Sequence, residues 1–160
     1  MQFRLIQPTD NPALAKILRD NLKANGLDIP GTAYFDDLEH LSDFYQQTGR
    51  DYLVALNDAG EILGGGGFAE YLPDQGIAEL QKLYLTDTAK GQGVGYRLVR
   101  TVEVMAREAG YQQMYLETHH ALKPAMHLYE EMHYQLVPEP LKTAVHQTMD
   151  CFYVKPLVKS

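Results

Sequence analysis

An apolar segment, a glycine-rich turn, a helix-period segment and a second apolar segment follow one another between positions 77 and 117 with almost no spacer. Ile77 to Thr86 has the content of a strand, Asp87 to Gly93 is loop, Val94 to Ala109 is helical, and Gln113 to Glu117 is again strand. The helix is strongly amphipathic: Leu98, Val102, Met105 and Ala109 fall on one face, and Gly110 stands where a C-terminal cap belongs. Strands joined through a helix pair parallel, with a right-handed crossover. The turn contains Lys90-Gly91-Gln92-Gly93-Val94-Gly95. Glycines placed there let backbone N–H groups converge on an anion at the helix N-terminus, where unsatisfied donors and the macrodipole favour negative charge.

Two phosphate motifs compete for this turn. A P-loop ends in Gly-Lys-Ser/Thr, whereas Gly95 is followed by Tyr96 and Arg97, so it fails. A dinucleotide fingerprint fits better, because Gly91 and Gly93 have its first spacing and Glu117 ends the next strand where a ribose-binding carboxylate would sit. Its third glycine position holds Tyr96, which would obstruct close helix-to-strand packing. The turn also lies mid-chain, behind three strands expected to pair antiparallel, rather than opening a doubly wound sheet.

Phe3 to Gln7 is a short strand, after which Thr9 or Asp10 is expected to cap a helix through Pro12, Leu14, Ile17, Leu18 and Leu22, closed by Gly26. Asn25 to Asp37 is an irregular loop with apolar contacts, of the kind that lines binding sites. A short helix around Leu38, Leu41, Phe44 and Tyr45 ends at Thr48-Gly49. Tyr52 to Leu56 and Glu61 to Tyr71 form a hairpin through Asn57-Asp58-Ala59-Gly60. The run Gly64 to Gly67 marks either a close approach of ligand or backbone, or a bulge. A helix from Pro124 to Met132 and strands at Tyr134 to Val137 and Met149 to Val154 complete the chain.

With 160 residues, 45% of them hydrophobic, the chain is expected to be one domain spanning 1–160. A formal net charge of −7 disfavours a nucleic-acid partner and mildly favours cationic ones such as amines. The lone Cys151 cannot form an internal disulfide, and no apolar stretch reaches the length of a signal core or a membrane span. A cytoplasmic protein is expected, with no membrane partner; the oligomeric state is open, a homodimer included.

The run Ala78-Glu79-Leu80-Gln81-Lys82-Leu83-Tyr84-Leu85, then Lys90 to Gly95, then Leu116-Glu117-Thr118 and Ala125-Met126-His127-Leu128-Tyr129-Glu130, resembles the GCN5-related N-acetyltransferase (GNAT) superfamily over the whole chain, most closely in its second half. The family's glycine segment has the form Arg/Gln-x-x-Gly-x-Gly/Ala, with Lys90 here in its first position. The resemblance implies that Lys90, Gly91, Gln92, Gly93, Val94, Gly95 and Tyr96 hold the pyrophosphate of acetyl-CoA, mostly through backbone. It also explains why the apolar set changes face between Leu80 and Leu83: a β-bulge there splays this strand from its parallel neighbour. By resemblance the pantetheine arm lies in the gap, paired with backbone of Leu83 and Leu85, and Leu83, Tyr84 and Leu85 bind the cofactor.

Acyl transfer to an amine needs a neutral nucleophile, stabilisation of an oxyanion and a proton for the leaving thiolate. The resemblance implies a backbone N–H near Leu85 for the oxyanion and Tyr129 as general acid. Glu79 matches a glutamate that serves some relatives as general base; a half-buried carboxyl there would have a raised pKa. Tyr34, Phe35, Asp36 and Asp37, with Tyr71, are candidates for shaping the acceptor pocket. Six histidines invite a metal reading, chiefly His119-His120 with His127, but adjacent residues rarely converge on one ion and no acidic partner is evident, so no metal is expected. His133-Tyr134 replaces the family's usual Gly-Phe, so helix termination there calls for another cap, with His133 left-handed.

The expected fold is α/β, a mixed and mostly antiparallel sheet of six or seven strands flanked by about four helices. The expected activity is transfer of an acetyl group from acetyl-CoA to a primary amine of a small molecule or peptide in a ternary complex. A catalytically inactive module of the same fold, sensing acyl-CoA or binding a partner, is the alternative.

Overall fold

A computed structural model describes residues 1–142 and 148–157. Its strands are β1 (Gln2–Leu5), β2 (Asp51–Leu56), β3 (Ile62–Leu72), β4 (Ile77–Leu85), β5 (Gln113–Thr118), β6 (Gln135–Val137) and β7 (Cys151–Pro156). The helices are α1 (Asn11–Ala24), α2 (Leu41–Tyr45), α3 (Val94–Glu108) and α4 (Lys123–Glu131). One sheet contains all seven strands in the order β1-β2-β3-β4-β5-β7-β6. Every neighbouring pair is antiparallel except β4 and β5, the two strands joined by the α3 crossover.

The sheet separates two cores, as amphipathic helices on both faces require. On one face Leu98, Val99 and Val102 of α3 pack with Leu80, Met114, Leu116, Tyr129 and Tyr153. On the other, Leu14, Leu18 and Leu22 of α1 pack with Leu41, Tyr45, Tyr52 and Val54.

β4 holds its apolar face through an inserted residue. Gly65 pairs with Tyr84 but Gly67 with Gln81, so the register slips by one around Lys82 and Leu83. Lys82 takes φ 51°, the conformation that absorbs the extra residue. Ala78, Leu80, Leu83 and Leu85 all therefore face the α3 core, while Tyr84 faces the α1 core. The glycine run is what this bulge packs on. A Cβ on Gly65 would lie 2.4 Å from the Tyr52 ring and one on Gly67 2.5 Å from the Asp51 carbonyl. Tyr52 lies across these glycines and donates its hydroxyl to the Lys82 carbonyl at 2.7 Å. The close approach anticipated at Gly64 to Gly67 is thus one of backbone and ring within the protein.

The expected α1 cap is corrected. Asp10 makes no side-chain cap bond to α1. Its carboxylate instead accepts from both terminal nitrogens of Arg4, at 2.7 and 2.9 Å, and from the Gln7 N–H at 2.8 Å. A buried carboxylate gains more from a bidentate guanidinium than from one backbone amide. At the end of α4, His133 is left-handed at φ 70°, and the Tyr134 N–H reaches back to the Tyr129 carbonyl at 2.9 Å, a Schellman closure without glycine. Among the described residues no helix is long and apolar enough to cross a membrane.

Candidate active site

β4 and β5 pair only at Ile77–Gln113, Ala78–Met114 and Glu79–Tyr115. Beyond that point β4 stays with β3 as far as Leu85, and β5 stays with β7 as far as Thr118, so the two strands part. The parting opens a cleft of about 460 Å³. Leu83, Tyr84 and Leu85 line one wall, Glu117, Leu128 and Tyr129 line the opposite wall, and Lys90, Gly91, Gly93, Val94, Gly95 and Tyr96 close one end.

That end is built to take an anion. Gly91 and Gly93 have φ of 79° and 74°, a region costly for side-chain-bearing residues, and nothing lies within 4 Å of where their Cβ atoms would be. Gly93 is the N-cap of α3 and offers no side chain to close it. The first intrahelical bond is Arg97 N–H to Gly93 C=O at 3.1 Å, so the amides of the preceding turn are donors without a helical partner. A Cβ on Gly95 would press on Leu128 at 3.2 Å, narrowing the cleft. Lys90 adds a cation at the mouth, 3.0 Å from Asp87. Gln92 is the one member of the segment outside the lining; its side chain donates to the Thr88 carbonyl at 2.7 Å.

Along the wall, the Thr86 N–H bonds the Leu63 carbonyl at 2.8 Å. By strand alternation the Leu85 peptide groups then point to the open side. Asn21 of α1 occupies part of that side, donating to the Leu85 carbonyl at 3.0 Å and receiving Lys90 Nζ at 3.4 Å. Asn21 was not singled out from the sequence. Its only signal is a poor helix former within an otherwise apolar-patterned helix.

Tyr129 is 6% exposed and packs against Tyr134 and Tyr153, with ring centroids 5.8 and 5.9 Å away. Burial pushes its phenol well up, and the neighbouring Tyr84 and Tyr153 push it further, so it stays protonated. Tyr84, across the cleft, is pushed up to about 12, again chiefly by burial.

The remaining candidates lie outside the lining. Glu79 is half-buried on β4 and accepts from Gln81 Nε2 at 2.7 Å; Gln81 in turn receives the Tyr45 hydroxyl at 2.7 Å. Burial raises the Glu79 carboxyl, as does the charge of Glu117, against the Gln81 hydrogen bond. Glu117, by contrast, is in the cleft wall, as is Glu131 of α4, and it receives the Tyr115 hydroxyl at 2.7 Å. Tyr71 stacks on Tyr115 at 4.3 Å and accepts the Lys142 N–H at 3.0 Å. Tyr34 is half-buried with its carbonyl on Arg19, and Phe35 is 64% exposed. Asp36 reaches the cleft indirectly through Lys82, 3.2 Å away, whereas Asp37 turns to His40 at 2.8 Å.

The histidines behave differently from expectation. His119 and His120 converge with Asp150, their ligand atoms within 4.8 Å of one another, because the residue just before β7 supplies the acidic partner. His120 Nδ1 is in short contact with Asp150, and the His120 N–H donates to the same carboxylate at 3.0 Å. His119 Nδ1, however, accepts the Ala121 N–H at 3.0 Å, which places the ring proton of the neutral form on Nε2, the nitrogen facing Asp150. The set is thus arranged as a hydrogen-bonded clasp on the loop between β5 and α4.

Comparison with known proteins places this architecture. The sequence profile described as the acetyltransferase (GNAT) family matches residues 13–134. A protein of Escherichia coli (strain K12), "Uncharacterized N-acetyltransferase YjgM", is 35% identical over 152 residues, covering 93% of this chain and 89% of that one. A GNAT-family acetyltransferase from Staphylococcus aureus Mu50 superposes with TM-score 0.85 at 18% identity, covering 98% of this chain and 99% of that one. An aminoglycoside 6'-N-acetyltransferase complexed with coenzyme A superposes with TM-score 0.75 at 18% identity, covering 100% and 99%. The parted parallel strands, the open helix terminus between them and the matched profile lead to one conclusion: the chain belongs to the GNAT acetyltransferase family and is an acyltransferase.

Proposed function

We propose that the protein transfers an acetyl group from acetyl-CoA to a primary amine within the cleft between β4 and β5. The observation that supports this most directly is the cleft's composition: an anion-accepting helix terminus at one end and, on facing walls, the Leu85 N–H and a buried, protonated Tyr129. Acetyl-CoA, when bound, supplies an activated thioester; in the net reaction a C–N bond forms, a C–S bond breaks, the amine gives up one proton and the sulfur gains one.

The chain's own groups divide this work. The amides of the α3 terminus and Lys90 hold the pyrophosphate. Backbone of Leu83 and Leu85 orients the pantetheine amides, and the Leu85 N–H faces the negative charge that develops on the carbonyl oxygen. Tyr129 donates to the leaving sulfur. The carboxylate of Glu117, at the wall, takes the amine proton, with Glu79 behind it as the next acceptor in line. Tyr34, Phe35 and Tyr71 border the acceptor's approach.

The test combines calorimetric binding of acetyl-CoA with thiol release over a panel of amines, polyamines, aminoglycosides, amino acids, peptides and hydroxylamine. Tyr129→Phe is expected to lower kcat by about 100-fold or more with little change in KM for acetyl-CoA. Binding without thiol release from any acceptor would favour an acyl-CoA sensor, and unchanged kcat in Tyr129→Phe would remove Tyr129 from the reaction.

A further inference from the structure

Tyr129 carries a difficulty of acid strength. A coenzyme A thiol, like other thiols, is a stronger acid than an ordinary phenol. Burial weakens the Tyr129 phenol further. Left alone, such a group would hydrogen-bond to a departing thiolate but would resist parting with its proton. A buried phenol becomes a better acid when something donates a hydrogen bond to its anion.

Two tyrosines pack on the Tyr129 ring and could make that donation. Tyr134 is committed elsewhere: its hydroxyl donates to Glu103 at 2.8 Å, and Glu103 is also held by Lys155 at 2.9 Å. Tyr153, on β7, is 1% exposed, and among the described residues its hydroxyl is the buried side-chain polar atom without a hydrogen-bond partner. An orphaned buried hydroxyl costs stability that phenylalanine in the same place would not. Its ring is tilted by 53° to that of Tyr129 with centroids 5.9 Å apart.

We propose that Tyr153 is a positioning residue for the acetyl transfer, its hydroxyl donating to the Tyr129 oxygen as Tyr129 gives its proton to the leaving sulfur. This rests on the proton-donor reading of Tyr129. The proton passes from Tyr129 Oη to sulfur, Tyr153 keeps its own, and the carboxylate that took the amine's proton passes it on to the Tyr129 phenolate, restoring both groups. The other titratable groups around the pair are Tyr84 from β4, Tyr134 with Glu103 and Lys155, Glu130 of α4, and Cys151 at the start of β7. None of them relieves the Tyr153 hydroxyl. The Cys151 thiol is itself pushed up to about 11 by burial and by Asp150, and so stays neutral.

Y153F, Y129F and the double variant would be compared in full-length protein with acetyl-CoA and the panel's fastest acceptor. Y153F is expected to lower kcat by roughly 10- to 100-fold, the range of a hydrogen bond to a charged group. KM for acetyl-CoA should stay within about twofold, and the thermal midpoint should hold or rise because an unsatisfied hydroxyl is gone. In the Y129F background the same change should cost nothing further, since Tyr153 acts through Tyr129. Unchanged kcat in Y153F beside a fall in Y129F overturns the inference and leaves the donor reading standing. An equal fall in both backgrounds also overturns it, as a packing effect. Unchanged kcat in Y129F removes the donor reading first.

Discussion

Replacing Gly65 with alanine tests the link between the glycine run and the cleft. The backbone at Gly65 is not left-handed, so alanine is conformationally acceptable and the penalty is one of space alone. The new Cβ would lie 2.4 Å from Tyr52 Cε1 and 2.7 Å from the Leu53 carbonyl oxygen. Neither yields easily, since one belongs to a rigid ring that is 2% exposed and the other to the neighbouring strand's backbone. Overpacking of this kind costs about 1–3 kcal/mol. Displacing the ring also threatens the 2.7 Å bond from Tyr52 to the Lys82 carbonyl, and an unsatisfied carbonyl adds about 1–3 kcal/mol. The total of roughly 2–6 kcal/mol corresponds to a fall in Tm of roughly 4–24 °C for a domain of this size. Gly66→Ala is the internal control, because its one tight contact is the Leu83 Cδ1 methyl at 3.0 Å, the end of a flexible side chain, with Leu83 Cα and Cβ at an ordinary 3.7 Å. Thermal unfolding by circular dichroism, with acetyl-CoA affinity by calorimetry, should show Gly65→Ala far less stable than Gly66→Ala and weaker in binding, since Lys82 anchors the bulge that opens the gap. Equal midpoints for the two variants would refute the reasoning.

Gly93→Ala separates backbone conformation from bulk: no atom crowds the added methyl, but φ of 74° costs about 1–2 kcal/mol for an L-residue. If the loop relaxes to avoid this, calorimetry should record acetyl-CoA binding weakened by about tenfold or more. Glu79→Gln probes the raised carboxyl by pH. Burial raises its folded pKa above the unfolded one, so ionisation opposes folding once the pH exceeds the unfolded value, and the full cost is present above the folded value. Glutamine removes that cost, so its gain in Tm should appear at pH 8 and vanish near pH 4. A gain independent of pH would contradict this assignment.

Signals confined to neighbouring residues were the legible ones. The α3 crossover, the three glycines of its turn, the slipped face of β4 and the left-handed His133 each follow from patterns a few residues long. Other features depend on partners in other elements of the fold, and no local pattern announces them. Asp10 looked like a helix cap because the residues after it suit one, but its stronger partner, Arg4, comes from the preceding strand. For His119 and His120 the acidic partner is Asp150, brought in just ahead of β7 from thirty positions beyond His120. The wall position of Glu117 depends on where β5 leaves β4, whereas Glu79 sits where the two are still paired. Tyr34 and Phe35 belong to an irregular loop, whose course is set by contacts such as Arg19 with the Tyr34 carbonyl rather than by a repeating pattern.

The inserted residue at Lys82 reconciles requirements that otherwise conflict. A right-handed crossover makes β4 and β5 parallel neighbours, and neighbours normally pair along their length, which would leave no cleft. Letting two strands part exposes unpaired peptide groups, a cost in a buried sheet and an asset where a ligand with its own amides lies alongside. Without the bulge, the alternation that puts Ala78 and Leu80 in the α3 core would turn Leu83 and Leu85 outward and Tyr84 inward. With it, apolar side chains stay on the α3 face and the Leu85 peptide faces the gap. The glycines of β3 and the Tyr52 hydroxyl stabilise a left-handed lysine that would otherwise straighten. In this reading the cofactor cleft begins not at the glycine turn but one strand earlier, where a tyrosine laid across glycines holds β4 out of register.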